Sequence, residues 1–142
     1  MHRVLDMTDP CGNCGKRHRL LTTDQCIDRS MSEKTLQDRV RDRAKRRGWQ
    51  VAHAGRGYVG NAETGEGQFV TPMAPGWPDF TLAKAGHHLI FIEFKKELGE
   101  VDEKQWQWLT LLNMTGNKAI IVRPSDLREG RVTAILNQGS PI

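Results

Sequence analysis

Two apolar runs joined by a short turn, DFTLAK and HLIFIEFK within APGWPDFTLAKAGHHLIFIEFKKELG (residues 74–99), constrain most strongly what this chain can fold into. They predict a β-hairpin. Side chains alternate along a strand, so Leu89, Phe91, Glu93 and Lys95 share one face, and Ile90, Ile92 and Phe94 share the other. With the turn centred on Gly86, Asp79 stands opposite Glu93, and directly opposed residues lie about 4.5–5.5 Å apart. Two carboxylates then converge at one end of a largely apolar hairpin. Like charges so placed destabilise a sheet, and the gap calls for positive charge. Lys95 supplies part of it, and a divalent cation such as Mg²⁺, held by carboxylates, water and phosphate, supplies the rest. The simpler reading is a solvent-facing ion pair of Glu93 and Lys95, but Leu89 and Phe91 on the same face argue against full exposure.

The flanking sequence predicts an α/β arrangement. Ser30 with Glu33 reads as a capping box, with Ser32 as a second cap, ahead of a helix that runs from about Glu33 to Arg47 and stops at Gly48. Its apolar stripe is Leu36, Val40 and Ala44, and Glu33 lies near that stripe as either a cap or a site residue. WQVAHA predicts a short strand. GRGYVGNAETGEGQFVTPMAPG, with six glycines in 22 residues, predicts a long loop. VDEKQWQWLTLLNMTG places Val101, Gln105, Trp108, Leu109 and Leu112 on one helical face, closed by Gly116. KAIIV predicts a buried strand ended before Pro124, and SDLREGRVTAILNQ holds a short helix or two. The expected core is a mixed sheet of about four strands flanked by helices, in the order α-β-β-β-α-β.

At 142 residues and a mean hydropathy of -0.58, the chain has room for one catalytic domain. No apolar run approaches the roughly 18–20 residues of a membrane span, and MHRVLDMTDP lacks the layout of a signal peptide, so a cytoplasmic protein is expected. The net charge of +4 is local: residues 1–50 carry 12 Lys and Arg against 7 Asp and Glu. Much of the excess sits in RVRDRAKRRGW, where Arg39, Arg43, Arg46 and Arg47 either meet phosphates or form a solvated basic face.

Residues 1–30 read as a separate arm ahead of a 31–142 domain. The odd count of three cysteines argues against a disulfide framework. Cys11-x2-Cys14-x3-His18-x7-Cys26 offers either a Cys₃His zinc knuckle or free thiols in a mobile arm.

GWPDF, then fourteen residues from Asp79 to Glu93, then IEFKKELGEVDEKQWQWLTLL, resembles the PD-(D/E)xK nuclease superfamily, and within it the virus-type replication-repair nuclease (VRR-NUC) domain. In that family a G-x-P-D turn, an apolar strand ending E-x-K, a glycine-containing linker and a helix opening with glutamine occur in this order. Here these are Gly76, Pro78 and Asp79, then Glu93 and Lys95, then Gly99, then Gln105. The resemblance runs from about Glu33 to Val122 and leaves out residues 1–30.

It implies a restriction-endonuclease-like fold and a Mg²⁺- or Mn²⁺-dependent DNA endonuclease of phage or prophage type. Such an enzyme acts in the bacterial host cytoplasm, in replication, recombination or repair, on branched DNA resembling a Holliday junction. It can pair as a homodimer. By the same resemblance Asp79, Glu93 and the backbone carbonyl of Phe94 bind the metal, Glu33 reaches its shell, Lys95 orients the attacking water, and Gln105 makes a hydrogen bond on the catalytic side. His53, Arg56 and Trp77 join Arg43 and Arg46 as candidate DNA contacts. Trp77 departs from the small or aliphatic residue usual there, and either packs beside the site or stacks on a base. The reading from another class is a non-cleaving DNA-binding or zinc-ribbon module that keeps the fold.

Overall fold

In the computed structural model, residues 10–18, 20–55, 57–70 and 73–142 are described. The chain runs α1 (Thr23–Ser30), α2 (Glu33–Arg46), β1 (Gln50–His53), β2 (Gly57–Gly60), β3 (Gly67–Val70), β4 (Phe80–Ala83), β5 (Ile90–Phe94), α3 (Glu103–Met114), β6 (Lys118–Val122), α4 (Pro124–Arg128) and α5 (Arg131–Gln138). Among the described residues no helix is long and apolar enough to cross a membrane.

Strand β5 organises the main sheet, whose order is β1-β4-β5-β6. All five of its residues are buried. A strand covered on both faces reads as a continuous apolar run, which is why IFIEF lacks polar alternation. Its odd and even positions feed two cores. Ile90, Ile92 and Phe94 pack with Leu36, Val40, Ala44, Leu127, Val132 and Leu136 under α2, α4 and α5. Phe91 packs with Leu109, Leu112 and Ala119 under α3. Each fully buried aliphatic or aromatic side chain of this kind contributes roughly 1.5–3 kcal/mol. β1, β4 and β5 are antiparallel, and α3 carries the chain across to β6, parallel to β5.

The β4–β5 register pairs Phe80 with Ile92 and Leu82 with Ile90, so the hairpin is centred on Gly86. That glycine takes φ +80°, a backbone conformation open to it because it lacks a Cβ.

The observed order differs from α-β-β-β-α-β in two places, and the short helices expected in SDLREGRVTAILNQ follow β6 as α4 and α5. Helix α1 precedes the core. The segment expected to be a long loop contains an antiparallel ribbon, β2 with β3, pairing Gly57 with Val70 and Gly60 with Gly67. The ribbon forms because Asn61 closes its turn: its side-chain oxygen accepts from the Glu63 and Thr64 N–H groups, at 2.9 and 3.4 Å. Asx chemistry of this kind stabilises a reversal that glycine counting alone does not show.

The cap of α2 also differs from the Ser30–Glu33 box. Ser32 is the N-cap and accepts from Thr35 N–H at 3.1 Å. Ser30 instead ends α1, its hydroxyl donating to the Cys26 carbonyl at 2.7 Å.

Helix α1 lies against α4. Arg128 donates through Nε to both Asp28 oxygens, at 3.1 and 3.0 Å, and its Nη2 lies 2.8 Å from Oδ2. Asp28 is buried, and the forked guanidinium satisfies it at both oxygens.

Candidate functional site

The acidic centre is built from the ends of β4 and β5. Continued one residue past Phe80 and Ile92, their register sets Asp79 opposite Glu93. Asp79 reaches this point from a turn that cannot easily shift. Gly76 has φ +85°, and a Cβ there would lie 2.6 Å from the Lys104 backbone carbon of α3. The Trp108 indole N–H also donates to the Pro75 carbonyl at 3.2 Å. The turn is thereby clamped against the helix that carries Gln105.

Each carboxylate has one oxygen held by a fixed donor. Asp79 Oδ2 accepts from the Phe94 backbone N–H at 2.9 Å. Glu93 Oε1 accepts from Gln105 Nε2 at 2.7 Å. Gln105 is itself fixed at its other end, where Oε1 accepts from the Asp102 N–H at 3.0 Å in the capping box of α3. The second oxygen of each acid has no hydrogen-bond donor among the described residues.

Glu93 is only 4% exposed and its carboxyl is pushed up to about 8. Burial is the main cause, the Asp79 charge adds to it, and Lys95 opposes both. Asp79 is raised as well, chiefly by burial and then by Glu33, with the Phe94 N–H, His53 and Lys95 opposing. Glu33, at the first turn of α2, thus acts on both acids through its field. A buried and a half-buried acid, both raised from their ordinary values beside an ammonium, can take up a divalent cation in place of their protons.

The remaining expected residues are placed as follows. The exposed His53 ends β1 with its ring edge-on to Phe80, the centroids 5.3 Å apart. Trp77 packs edge-to-face on Phe91 and Trp108, at 5.5 and 4.9 Å, so its ring is engaged in packing beside the site. Arg43 donates to the Thr133 hydroxyl of α5 at 2.8 Å, which makes it a brace between helices. Arg46 is exposed at the end of α2. Arg56 lies outside the described residues.

Two residues near this centre escaped the sequence reading. The Arg41 guanidinium lies over Phe80, 5.1 Å from the ring centroid, on the strand that follows Asp79. Its spacing of eight from Glu33, two turns along the same helix, was the available signal. Arg123 Nη1 donates to the carbonyls of Lys96, Glu97 and Gly99, at 2.8, 3.2 and 2.7 Å, fixing the linker that follows Lys95. Nothing in the local sequence marks that role.

A second cluster lies in the N-terminal segment. The ligating atoms of Cys11, Cys14, His18 and Cys26 all fall within 4.8 Å of one another, and the group can hold a metal ion such as zinc. The Cys11 thiol is lowered to about 6, mainly because the Cys14 backbone N–H donates to its sulfur, with Asn13 N–H adding to the effect and burial opposing. Cys14 is drawn down by the Lys16 backbone N–H, but burial and the neighbouring Cys26 and Cys11 sulfurs outweigh this and leave it raised. No protein-family model matches the chain, and no curated protein or solved structure matches it.

Proposed function

We propose that the chain is a metal-dependent DNA endonuclease of the PD-(D/E)xK kind, close to the VRR-NUC pattern that its motifs resemble. The observation that carries this reading is the opposed pair Asp79 and Glu93. Both are raised from their ordinary values, and each offers one oxygen while the other is held by a fixed donor. Two neighbouring acids withdrawn from solvent with one donor apiece and no ion-pair partner at hydrogen-bond distance among the described residues are costly to a fold, and a cation would offset them.

Asp79, Glu93 and the Phe94 carbonyl hold Mg²⁺ or Mn²⁺ in this proposal, with Glu33 at its outer shell. The bound cation supplies Lewis acidity to the scissile phosphate and to water. Lys95, two residues past Glu93 on the same face, offsets charge on the phosphorus oxygens and orients the attacking water. Gln105 keeps the Glu93 carboxylate turned toward the metal. Arg46, exposed at the end of α2, is a candidate contact for backbone phosphates in this proposal. The preference for branched DNA, the pairing of two chains and the phage setting rest on the motif resemblance.

The test is cleavage of end-labelled four-way junction, flap, linear duplex and single-stranded DNA in Mg²⁺, Mn²⁺ and EDTA. Wild-type protein is expected to cut in metal only. Lys95→Ala should lose roughly 10²–10³-fold in rate while binding DNA as before. Binding by the wild type with no cutting of any substrate would instead favour a non-cleaving DNA-binding module.

A further inference from the structure

We propose that Cys11, Cys14, His18 and Cys26 bind a structural Zn²⁺ that organises residues 11–26 and holds α1 in place against α4. The site is separate from the acidic centre and does not depend on its chemistry.

Burial in this segment runs opposite to hydropathy. Leu20 is 93% exposed and Leu21 only half-buried, while Cys11 and Cys26 are buried and, among the described residues, form a core cluster of their own. Two cysteine side chains are too little apolar surface to order such a segment, and chains this short normally need a metal or a crosslink. The aliphatic residues are not the organisers here; the thiols are.

The geometry suits zinc. A tetrahedral zinc with bonds of about 2.3 Å to sulfur holds its ligand atoms about 3.8 Å apart. Atoms already within 4.8 Å of one another close by no more than about an ångström to reach that spacing. Cys14 Sγ and His18 Nε2, at 3.0 Å, open slightly on binding. Three thiolates and an imidazole are a soft donor set that selects zinc over magnesium or calcium.

The surroundings are those of a ligand shell. The backbone between the first two cysteines is folded back by Gly15 N–H to Cys11 O and by Cys11 N–H to Lys16 O, both at 2.8 Å. This turn aims N–H groups at sulfur, and Asn13 N–H donates to Cys11 Sγ at 3.4 Å. The Asn13 side chain spans the site, its Nδ2 lying 3.5 Å from Cys26 Sγ and 3.3 Å from Ser30 Oγ. Asn13 is thus a positioning residue for ligands on both sides of the cluster. Cys26 stands on α1 two residues before Asp28, which Arg128 grips. Metal at the cysteines and the ion pair at Asp28 therefore fix the same helix at neighbouring points.

A disulfide accounts for less. It would use two of the sulfurs and leave His18 and the third cysteine converging without purpose.

The experiment uses full-length protein prepared with Zn²⁺ and freed of loosely held metal by gel filtration. About one zinc per chain is expected to remain, and the three cysteines should resist a thiol reagent until a strong chelator is added. Exchange with Co²⁺ should give thiolate-to-metal charge transfer and the intense visible bands of a tetrahedral site. Cys14→Ser should lose the retained metal. Asn13→Ala, with every ligand intact, should weaken zinc binding about 10–100-fold.

Asp79→Asn should keep its zinc, so that failure of this site and failure of the nuclease reading register on different variants. Freely titrating thiols in protein that retains no zinc would overturn the proposal, as would a Co²⁺ spectrum of octahedral oxygen ligation. Both are read on the wild-type chain and decide the matter even if Cys14→Ser fails to fold.

Discussion

Asp79 and Glu93 lie at the end of strands whose apolar side chains Phe80, Leu82, Ile90, Phe91, Ile92 and Phe94 are buried, whereas Cys11, Cys14, His18 and Cys26 lie in a segment in which Leu20 faces solvent. The acids are positioned by packing that exists before any cation arrives, through Phe94 N–H, Gln105 and the clamped turn at Gly76. The cysteines are positioned mainly by one another and by the backbone around them. A preorganised site can bind weakly and exchange its metal, as catalysis requires, while a site that doubles as its own core must bind tightly to exist. In the readings proposed above, the two clusters therefore differ in what a bound metal would do for the fold.

The comparison breaks most directly in the cores. Ile92→Ala is expected to cost about 2–5 kcal/mol, and Leu20→Ala is expected to fall within about 0.5 kcal/mol of wild type. Urea unfolding measures both, and similar losses would mean that the N-terminal segment has a core of its own. Next in size is Gly76→Ala. The new methyl meets the Lys104 backbone and the left-handed φ adds strain, so a loss of about 1–3 kcal/mol is expected, with cleavage reduced as well. Unchanged thermal stability and activity would show that the turn is not what positions Asp79.

A smaller effect follows from Glu93. Its folded value of about 8 lies above the ordinary 4.5, so between these the folded state keeps a proton that the unfolded state has lost. Stability of metal-free protein should therefore fall as pH rises through this window, by at most about 1.4 kcal/mol per pH unit and by less where solvent screens the group. Glu93→Gln should flatten the slope, and a metal-free protein whose stability rises over that window would contradict the burial of Glu93. Smallest is the contrast within α2. Arg46→Ala should reduce the salt dependence of DNA binding by about one phosphate contact, while Arg43→Ala, tied to Thr133, should change stability more than the slope.

Much of the hairpin was legible because two local rules agree on it. The period of two assigned the faces of β5, and the Gly86 turn set the register that brings Asp79 opposite Glu93. The β2–β3 ribbon was missed because the six glycines of residues 55–76 masked the turn chemistry of Asn61. The basic run of α2 was read as one patch, although a helix turns each successive side chain by about 100°. In the fold Arg41 turns toward Phe80, Arg43 toward Thr133, and Arg46 stays exposed. The docking of α1 could not be read at all, since Asp28 and Arg128 are 100 residues apart and no local pattern joins them.

The hydrogen bonds of Gln105 also bear on which residue position 105 can tolerate. Judged by helix α3 alone, glutamate would serve there at least as well, since it completes a capping box equally and its charge favours a first turn. The Glu93 oxygen 2.7 Å from Nε2 disfavours that exchange, because glutamate removes the amide N–H that Glu93 accepts from and adds a further negative charge beside the pair. An amide at this position is thus chosen by the strand across from it. Drift from Gln105 to glutamate in a related chain would signal that its neighbour at position 93 had ceased to be an acid.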